Sequence, residues 1–392
     1  MHLCYVLLSP AFGMQQYTAD LANGAAARGD ARVDVLTIRT TPGNRFAPSV
    51  NLQPIANVRG TGLKLGNFHF GELSRFYRAI VEAQPDVVHF TGPHIWNPIL
   101  LAWLKRAHIP TIHTIHDLDP HSGTSYGRLL YVWNDSIKRL ADHILVHSQM
   151  YRSRLIAQGL PPERVTYAPL LHLFLNYDAE KAIQQQLNDQ PSFTSTDSAP
   201  FALFFARLEP YKGIDVLIEA MHLLDGTSPM RAIIAGKGDI ERVTSNSLPA
   251  NIEVRNHLIE DREAVDLFCR CSIVILPYID ATQSALIAAA YFFGKPVIVT
   301  RTGALPEYVV DGETGWIIEP RDAHALADRL QAAASNWARL TQMGQSGRGW
   351  YLAQRMIERY TLHRMYEQAD RARTLVHGET QHTRGSRYVN DR

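Results

Sequence analysis

The sequence is poor in cysteine: Cys4, Cys269 and Cys271 are the only three among 392 residues. Three cysteines are too few for a disulfide framework, and Cys269 and Cys271 lie in an apolar run without the partners that a zinc site needs. We therefore expect three buried, reduced thiols and a cytoplasmic protein.

An excess of one charge is also missing, since 39 lysines and arginines face 38 aspartates and glutamates, for a net charge of +1. This balance excludes a globally basic nucleic-acid binder. The longest apolar runs, 271–279 and 285–293, fall short of the roughly 20 residues that span a bilayer. Residues 1–8 have no basic flank of the kind found in secretory signals and are typical of a buried strand. We expect a soluble protein that at most rests on a membrane surface.

What the sequence does have is a regular alternation of short apolar runs with amphipathic helical stretches. Continuous apolar strands separated by helices are typical of parallel sheets covered on both faces. We expect an α/β protein of two Rossmann-like, doubly wound domains that face each other across a cleft, because such sheets bind ligands at the carboxyl ends of their strands. The predicted strands are 2–8, 33–37, 86–90, 111–116 and 143–147, then 201–205, 231–235, 252–255, 272–277, 296–300 and 315–318.

A change in composition along the chain predicts the domain boundaries. A stretch rich in Gln, Asp, Ser and Thr separates the two series of strands. The first domain is therefore predicted over 1–176, a linker over 177–199 and the second domain over 200–342. The last residues, 376–392, are polar and aperiodic, which predicts a disordered tail.

Two cations follow the first strand of the second domain. Arg207 and Lys212 lie five positions apart on a strand-end loop, where a guanidinium and an ammonium group can both reach one polyanion, such as a diphosphate. A solvated loop in which Arg207 pairs with Glu209 is the alternative.

Two further loops of this domain have ligand-binding patterns. Gly236 and Gly238 follow the strand 231–235, where paired glycines can expose backbone amides to a phosphate; an ordinary turn is the alternative. The polar loop Thr282-Gln283-Ser284 precedes an apolar helix whose N-terminus attracts anions, although Ser284 could equally be only its N-cap.

The order of these motifs resembles that of the retaining GT-B-fold glycosyltransferases, the glycosyl transferases of group 1 or family 4 type. The likeness is specific over residues 200–320 and looser over the first domain. In that fold the last helices cross back to the first domain, which the resemblance places at 343–375. The matching segments are 207–213, 235–238, 276–277, 294–298, 303–307 and 311–315.

The resemblance implies that the second domain binds a nucleotide-activated sugar. Arg207 and Lys212 would neutralise the diphosphate leaving group, so that no metal or other cofactor is expected. The donor-binding residues that the resemblance implies are Gly13, Gly236, Gly238, His257, Leu258, Thr282, Gln283, Ser284 and Glu307.

One feature of the family is missing. The two glutamates that usually bind the donor sugar and the ribose would fall at Ala281 and Ala289. The neighbouring Thr282-Gln283-Ser284 offers hydroxyl and amide groups, which can also bind sugar hydroxyls. We interpret the chain as an atypical branch of the family.

In the first domain the resemblance places His116 where the family's cleft histidine contacts the donor sugar; a hydrogen-bonded strand-end histidine is the alternative. Asp117 and Asp119 also form the D-x-D pattern with which a different glycosyltransferase fold binds metal. We expect no metal there, because this domain would face the acceptor. The residues predicted on the acceptor side are His89, Thr91, His94 and Asp117.

The expected function is retaining transfer of a hexose from a UDP- or GDP-linked sugar to a hydroxyl of a saccharide or lipid-linked acceptor, in polysaccharide or glycolipid biosynthesis. A non-catalytic nucleotide-sugar-binding subunit and a GT-B nucleotide-sugar epimerase are the alternatives. A nicotinamide dehydrogenase is disfavoured, because no G-x-G-x-x-G follows the first strand.

Interleaved basic and aromatic residues in the first domain predict peripheral membrane association, with ordinary amphipathic helices and core aromatics as the alternative. These residues are Lys64, Phe68, His69, Phe70, Arg75, Phe76, Tyr77, Arg78, Trp96, Trp103, Lys105 and Arg106.

Overall fold

The computed structural model describes residues 1–58, 69–119, 127–189, 200–243 and 247–385. The chain forms two compact units. The first unit holds most of the chain up to Pro169 together with the segment that starts at Ile357, and the second holds Leu170–Met356. Within these described ranges, no helix combines the length and the apolar character needed to cross a membrane.

The first unit alternates strands with helices. Its elements are β1 (His2–Leu7), α1 (Phe12–Ala27), β2 (Arg32–Ile38), β3 (Asn51–Ala56), α2 (Phe70–Glu82), β4 (Val87–Phe90), α3 (Asn97–Arg106), β5 (Thr111–Thr114), α4 (Gly127–Leu140), β6 (His143–Val146), α5 (Gln149–Ala157) and β7 (Val165–Tyr167). The strands form one parallel sheet in the order β3-β2-β1-β4-β5-β6-β7. The strands at its centre are buried along almost their whole length, as parallel sheets require.

The second unit repeats this plan. Its elements are α6 (Tyr177–Asp189), β8 (Phe201–Phe205), α7 (Ile214–Leu224), β9 (Arg231–Ala235), α8 (Ile240–Val243), β10 (Ile252–Arg255), α9 (Asp261–Arg270), β11 (Ile273–Leu276), α10 (Leu286–Phe292), β12 (Val297–Thr300), β13 (Gly315–Ile318) and α11 (Ala323–Ser335), and α12 (Trp337–Gly385) begins in it. The six strands are parallel, in the order β10-β9-β8-β11-β12-β13.

In each sheet the strand order reverses at the centre, between β1 and β4 in the first unit and between β8 and β11 in the second. The loops that leave the carboxyl ends of strands at such a point diverge and leave room for a ligand. The predicted architecture of two doubly wound parallel-sheet domains is confirmed, and the loops after β1, β4, β8 and β11 are where a site is expected.

The sequence pattern does not predict two of the strands, β3 and β7, which both lie at edges of the first sheet. β3 contains Asn51, Gln53 and Pro54, and only one of its six residues, Ala56, is buried. β7 has three residues, of which only Val165 is buried. Edge strands bury little apolar surface, and proline is tolerated in them, so their sequences lack the continuous apolar run that identified the central strands.

The predicted linker over 177–199 is in part a helix. Residues 177–189 form α6, whose first turn is capped by the Asn176 side chain, which accepts a hydrogen bond from the amide of Ala179 at 2.9 Å. Ile183 and Leu187 lie four positions apart and are buried. Their spacing and the Ala, Glu and Gln content favour a helix, which the polar composition had concealed. Residues 190–199 lie outside the described part of the chain.

The C-terminal region is one continuous helix, α12, rather than helices ending near 375 and a disordered tail. The helix continues to Gly385, because no proline interrupts residues 376–385, and residues 386–392 are not described. From Ile357 onward it belongs to the first unit. There the Arg359 guanidinium donates to the carboxylate and the carbonyl of Asp20, both at 3.0 Å, and occupies the space that the missing side chain of Gly24 leaves.

The three cysteines are all unpaired thiols. Cys4 and Cys271 are buried as predicted, whereas Cys269 is partly exposed. Burial raises the pKa of Cys271 to about 12 and that of Cys269 to about 11. Burial raises the pKa of Cys4 as well, so all three thiols stay protonated at neutral pH.

The first unit buries several histidines in its core. Loss of hydration lowers the pKa of His94 and His113 to about 3 and that of His143 to about 4, while the pKa of His89 also lies well below its usual value. These side chains are therefore neutral in the folded protein at pH 7.

We expect the first unit to lose stability in mild acid. The unfolded chain takes up protons at these histidines below about pH 6.5, whereas the folded chain does not until about pH 3–4. The free energy of unfolding therefore falls as the pH drops through that window. The fall is at most about 1.4 kcal/mol per pH unit for each histidine. Urea unfolding between pH 7.5 and 4.5 measures this, and a flat free energy would contradict it. In the His143→Gln variant the free energy of unfolding should depend less steeply on pH.

Candidate functional site

Glycine allows the loops after β8 and β11 to touch. Gly213 has φ of +68°, and a Cβ atom there would collide with the carbonyl oxygen of Pro277. Beside it, the amide of Ile279 donates to the carbonyl oxygen of Tyr211 at 2.8 Å. These contacts fix the loop that contains Lys212 against the end of the neighbouring strand.

The predicted glycine pair after β9 serves the same purpose. Gly236 has φ of +149°, and a Cβ atom at Gly236 or Gly238 would clash with the carbonyl oxygen of Ala206 or Leu208, respectively. The amide of Gly236 donates to the carbonyl of Arg255, and that of Gly238 to Asn256 Oδ1, both at 3.1 Å. Both amides are thus used inside the unit, so the expected exposed amides are absent here and close packing explains the two glycines.

The loop after β12 completes this arrangement. Gly303, with φ of +50°, packs against the carbonyl of Ala281, and the amide of Ala304 donates to the carbonyl of Thr282 at 3.0 Å. The contacts hold the predicted donor loop in place: Thr282 and Ser284 are buried and Gln283 is partly exposed. Glu307 lies in the short 3₁₀ helix Leu305–Tyr308 and is also partly exposed.

Lys212 lies on aromatic rings. Its Nζ is 3.7 Å from the centroid of the Tyr278 ring and 4.9 Å from that of Tyr211. Tyr278 is fully buried, and burial raises the pKa of its hydroxyl, so the ring is neutral. The negative face of a neutral aromatic ring attracts an ammonium group.

Arg207 has a much looser environment. Its side chain is 73% exposed, and its Nη1 lies 3.4 Å from Glu209 Oε1. The ion pair weighed as the alternative is therefore present. An exposed pair of this kind contributes at most about 1 kcal/mol, so a ligand anion can replace the carboxylate at little cost.

The predicted base-binding residues follow β10. His257 Nε2 lies 2.8 Å from Glu263 Oε2, and Leu258 is 77% exposed. Hydrogen bonds from His257 and Arg255 lower the pKa of the Glu263 carboxyl, so it stays ionised. A leucine this exposed next to polar hydrogen-bonding groups leaves an apolar surface on which a flat ring can lie.

In the first unit, His116 is buried and its Nε2 lies 2.9 Å from the carbonyl oxygen of Thr91. Its ring meets the edge of Tyr17, at 4.9 Å between centroids, and lies tilted against His147, at 5.2 Å. Burial lowers the pKa of His116, so it is neutral at pH 7. The hydrogen bond to Thr91 uses one ring nitrogen of His116, as expected for the alternative in which His116 is a hydrogen-bonded strand-end histidine.

Three of the predicted acceptor-side residues are core residues. His89 hydrogen-bonds through both nitrogens, to the Tyr366 hydroxyl at 2.9 Å and to Thr114 Oγ1 at 2.8 Å. Thr91 Oγ1 bonds to Thr18 Oγ1 at 2.7 Å. His94 is fully buried and accepts a hydrogen bond from the amide of Trp96 at 3.2 Å. These contacts give all three side chains a structural role, and their place on the acceptor side stays a prediction.

Asp117 and Gly13 remain accessible. Asp117 is partly exposed just after β5. Gly13 lies in the first turn of α1, where the N-cap residue Ala11 provides no side-chain hydrogen bond. Nothing lies within 4 Å of a Cβ atom placed on Gly13, so packing does not require this glycine. Open amides at the start of a 16-residue helix favour an anion. Across the described residues, no three His, Cys, Asp or Glu side chains are grouped as metal ligands.

The predicted membrane-binding residues divide into two groups. Phe76 and Trp96 are buried in the core, as the alternative interpretation expects, and Lys64 and Phe68 lie outside the described residues. Five of the others line a groove of about 400 Å³ between side chains of α2 and α3, which opens to solvent. The groove is lined by Phe70, Ser74, Tyr77, Arg78, Trp103 and Arg106. Membrane association stays a prediction.

Comparison with known proteins identifies the family. Residues 12–170 match the model of the glycosyl transferase 4-like domain, and residues 199–336 match that of the glycosyl transferases group 1. The chain belongs to the GT-B glycosyltransferases. The resemblance found in the motifs is thereby confirmed, and with it the assignment of the chain as an enzyme.

Relatives of this glycosyltransferase cover most of its length. It is 26% identical to a D-inositol 3-phosphate glycosyltransferase of Corynebacterium glutamicum, over 85% of this chain and 86% of the relative. Its fold is similar to that of sucrose-phosphate synthase from Thermosynechococcus elongatus, with a TM-score of 0.69 and 19% identity over 94% of this chain and all of the other. The fold of Anabaena HepE, solved in complex with UDP-glucose, is also similar, with a TM-score of 0.62 and 18% identity over 95% and 99% of the two chains.

We expect Gly236→Ala to destabilise the second unit by about 2–5 kcal/mol, because the new methyl group meets the carbonyl of Ala206 on a strained backbone. Gly226→Ala is the matched control, since Gly226 also has positive φ but no atom near its Cβ position; it should cost about 1 kcal/mol. Urea unfolding measures both, and equal losses would show that the loop contact is unimportant.

Proposed function

We propose that this glycosyltransferase transfers a hexose, with retention of configuration, from a UDP- or GDP-linked sugar to a hydroxyl of a saccharide or lipid-linked acceptor in polysaccharide or glycolipid biosynthesis. The observation that carries the proposal is the pair of cations on one loop at the carboxyl end of β8, next to the central reversal of the second sheet. The complex of the structural neighbour HepE with UDP-glucose supports a donor of this class.

The two cations act on the leaving group. When the bond between the anomeric carbon and the phosphate oxygen breaks, its electron pair goes to that oxygen and negative charge grows on the diphosphate. Lys212, held against Tyr278, and Arg207, which exchanges Glu209 for the phosphate, stabilise this charge. Thr282, Gln283 and Ser284 provide hydroxyl and amide groups for the sugar hydroxyls in place of the absent glutamates.

The acceptor completes the transfer on the same face of the sugar. Its oxygen forms the new bond to the anomeric carbon as the old bond breaks, and its proton passes to an oxygen of the departing phosphate. No protein nucleophile takes part in this scheme, so the enzyme contributes position and charge. In the first unit we assign Asp117 to the acceptor and the open amides at Gly13 to a phosphate.

We expect Arg207→Ala and Lys212→Ala each to lower turnover about 100-fold or more, because each removes a positive charge that acts mainly on the transition state. Arg231→Ala is the control: Arg231 is an exposed arginine of the same unit, 3.5 Å from Glu253, and its loss should change turnover less than about twofold. Release of UDP or GDP from the sugar donor measures the rate. Near-normal turnover in both Arg207→Ala and Lys212→Ala would refute the site.

We expect activity to survive EDTA, because the positive charge at the leaving group is covalently part of the chain in this scheme. Turnover should stay within about twofold of the untreated enzyme, since neither cation is removed by a chelator. Complete loss of activity, followed by recovery when Mn²⁺ or Mg²⁺ is added, would instead show that a metal ion stabilises the leaving group.

A further inference from the structure

The ring on which Lys212 lies is held in place by hydrogen bonds of the surrounding backbone. Tyr278 is wholly buried, and its carbonyl oxygen accepts a hydrogen bond from Thr300 Oγ1 at 2.6 Å. The next residue, Ile279, is bonded through its amide to the carbonyl of Tyr211. The ring under the lysine is therefore tied to the loop after β8 on one side and to β12 on the other.

A lysine needs such support more than an arginine does. Its ammonium is a point charge at the end of a flexible four-carbon chain, and fixing this chain when a ligand binds costs conformational entropy. A carboxylate could hold the ammonium, but only by competing with the ligand for its charge. An aromatic face attracts the cation without bringing a second negative charge to the site.

We propose that Tyr278 is a positioning residue that holds the Lys212 ammonium ready for the diphosphate of the nucleotide sugar. This inference rests on the proposed function, in which Lys212 binds the leaving group. Arg207, whose side chain is 73% exposed and lies 3.4 Å from Glu209, becomes ordered when the ligand arrives. Neither the sequence pattern nor the family resemblance had singled out Tyr278.

Titration calorimetry with UDP and with GDP tests the inference through a double-mutant cycle. Tyr278→Phe keeps the ring and should change the dissociation constant less than about twofold, whereas Tyr278→Leu should weaken binding about tenfold or more. In a Lys212→Ala background, Tyr278→Leu should have no further effect, because the group that it positions is gone. Tyr291→Leu is the matched control: Tyr291 is equally buried in the same unit, where it donates to Thr314 Oγ1 at 2.7 Å, and its loss should cost stability without weakening nucleotide binding.

Two results would separate the possible failures. If Tyr278→Leu weakens binding as much in the Lys212→Ala background as in the wild type, Tyr278 only supports the fold and the inference is wrong. If Lys212→Ala itself leaves the binding of both nucleotides unchanged, the proposed function fails at an earlier step.

Should Tyr278→Leu not fold, pentafluorophenylalanine at position 278 gives the same test. It keeps the shape of the ring while reversing the charge of its face, so it should bind nucleotide more weakly than Tyr278→Phe does. Equal affinities of these two variants would overturn the inference.

Discussion

The candidate site depends on the close approach of four backbone loops at the carboxyl end of the second sheet. Gly213, Gly236, Gly238 and Gly303 each lie where a Cβ atom would collide with a neighbouring carbonyl group. Because no side chain separates them, the loops touch through their backbones and cannot shift independently. Lys212 and the polar loop 282–284 are therefore held on a preformed surface, which suits the charge stabilisation that we propose for the leaving group.

The first unit uses its polar residues differently. His89, His113 and Thr91 are directed into the core, where hydrogen bonds to Tyr, Thr and Asn side chains or to backbone groups satisfy them. Such a network makes a sheet rigid but leaves few groups to meet a ligand. What this unit can offer is found at its loop ends, at Asp117 and at the uncapped start of α1.

The sequence predicted those parts of the molecule that follow from continuous apolar runs. The strands 201–205 and 231–235 were predicted with their exact bounds, since buried parallel strands have a strong apolar pattern. The edge strands β3 and β7 and the helix α6 were missed because half-buried elements have mixed composition.

The direction of a side chain is a second property that the sequence does not predict. His89 and Asp117 look alike in the sequence, as polar residues near a strand end, yet one is buried and the other reaches the surface. The role of Tyr278 is likewise invisible in the sequence, because a tyrosine after an apolar strand gives no sign of the lysine that packs on it. Contacts between residues about 65 positions apart depend on how the loops pack, which local patterns do not encode.

The central claim is that the loop after β8 binds the diphosphate of a nucleotide sugar. A crystal structure with UDP-glucose, or with GDP-mannose if GDP binds more tightly than UDP, tests it most directly. The account predicts phosphate oxygens within hydrogen-bond distance of Lys212 Nζ and of the Arg207 guanidinium, with Lys212 still over the Tyr278 ring. A nucleotide whose diphosphate lies away from both cations would contradict it.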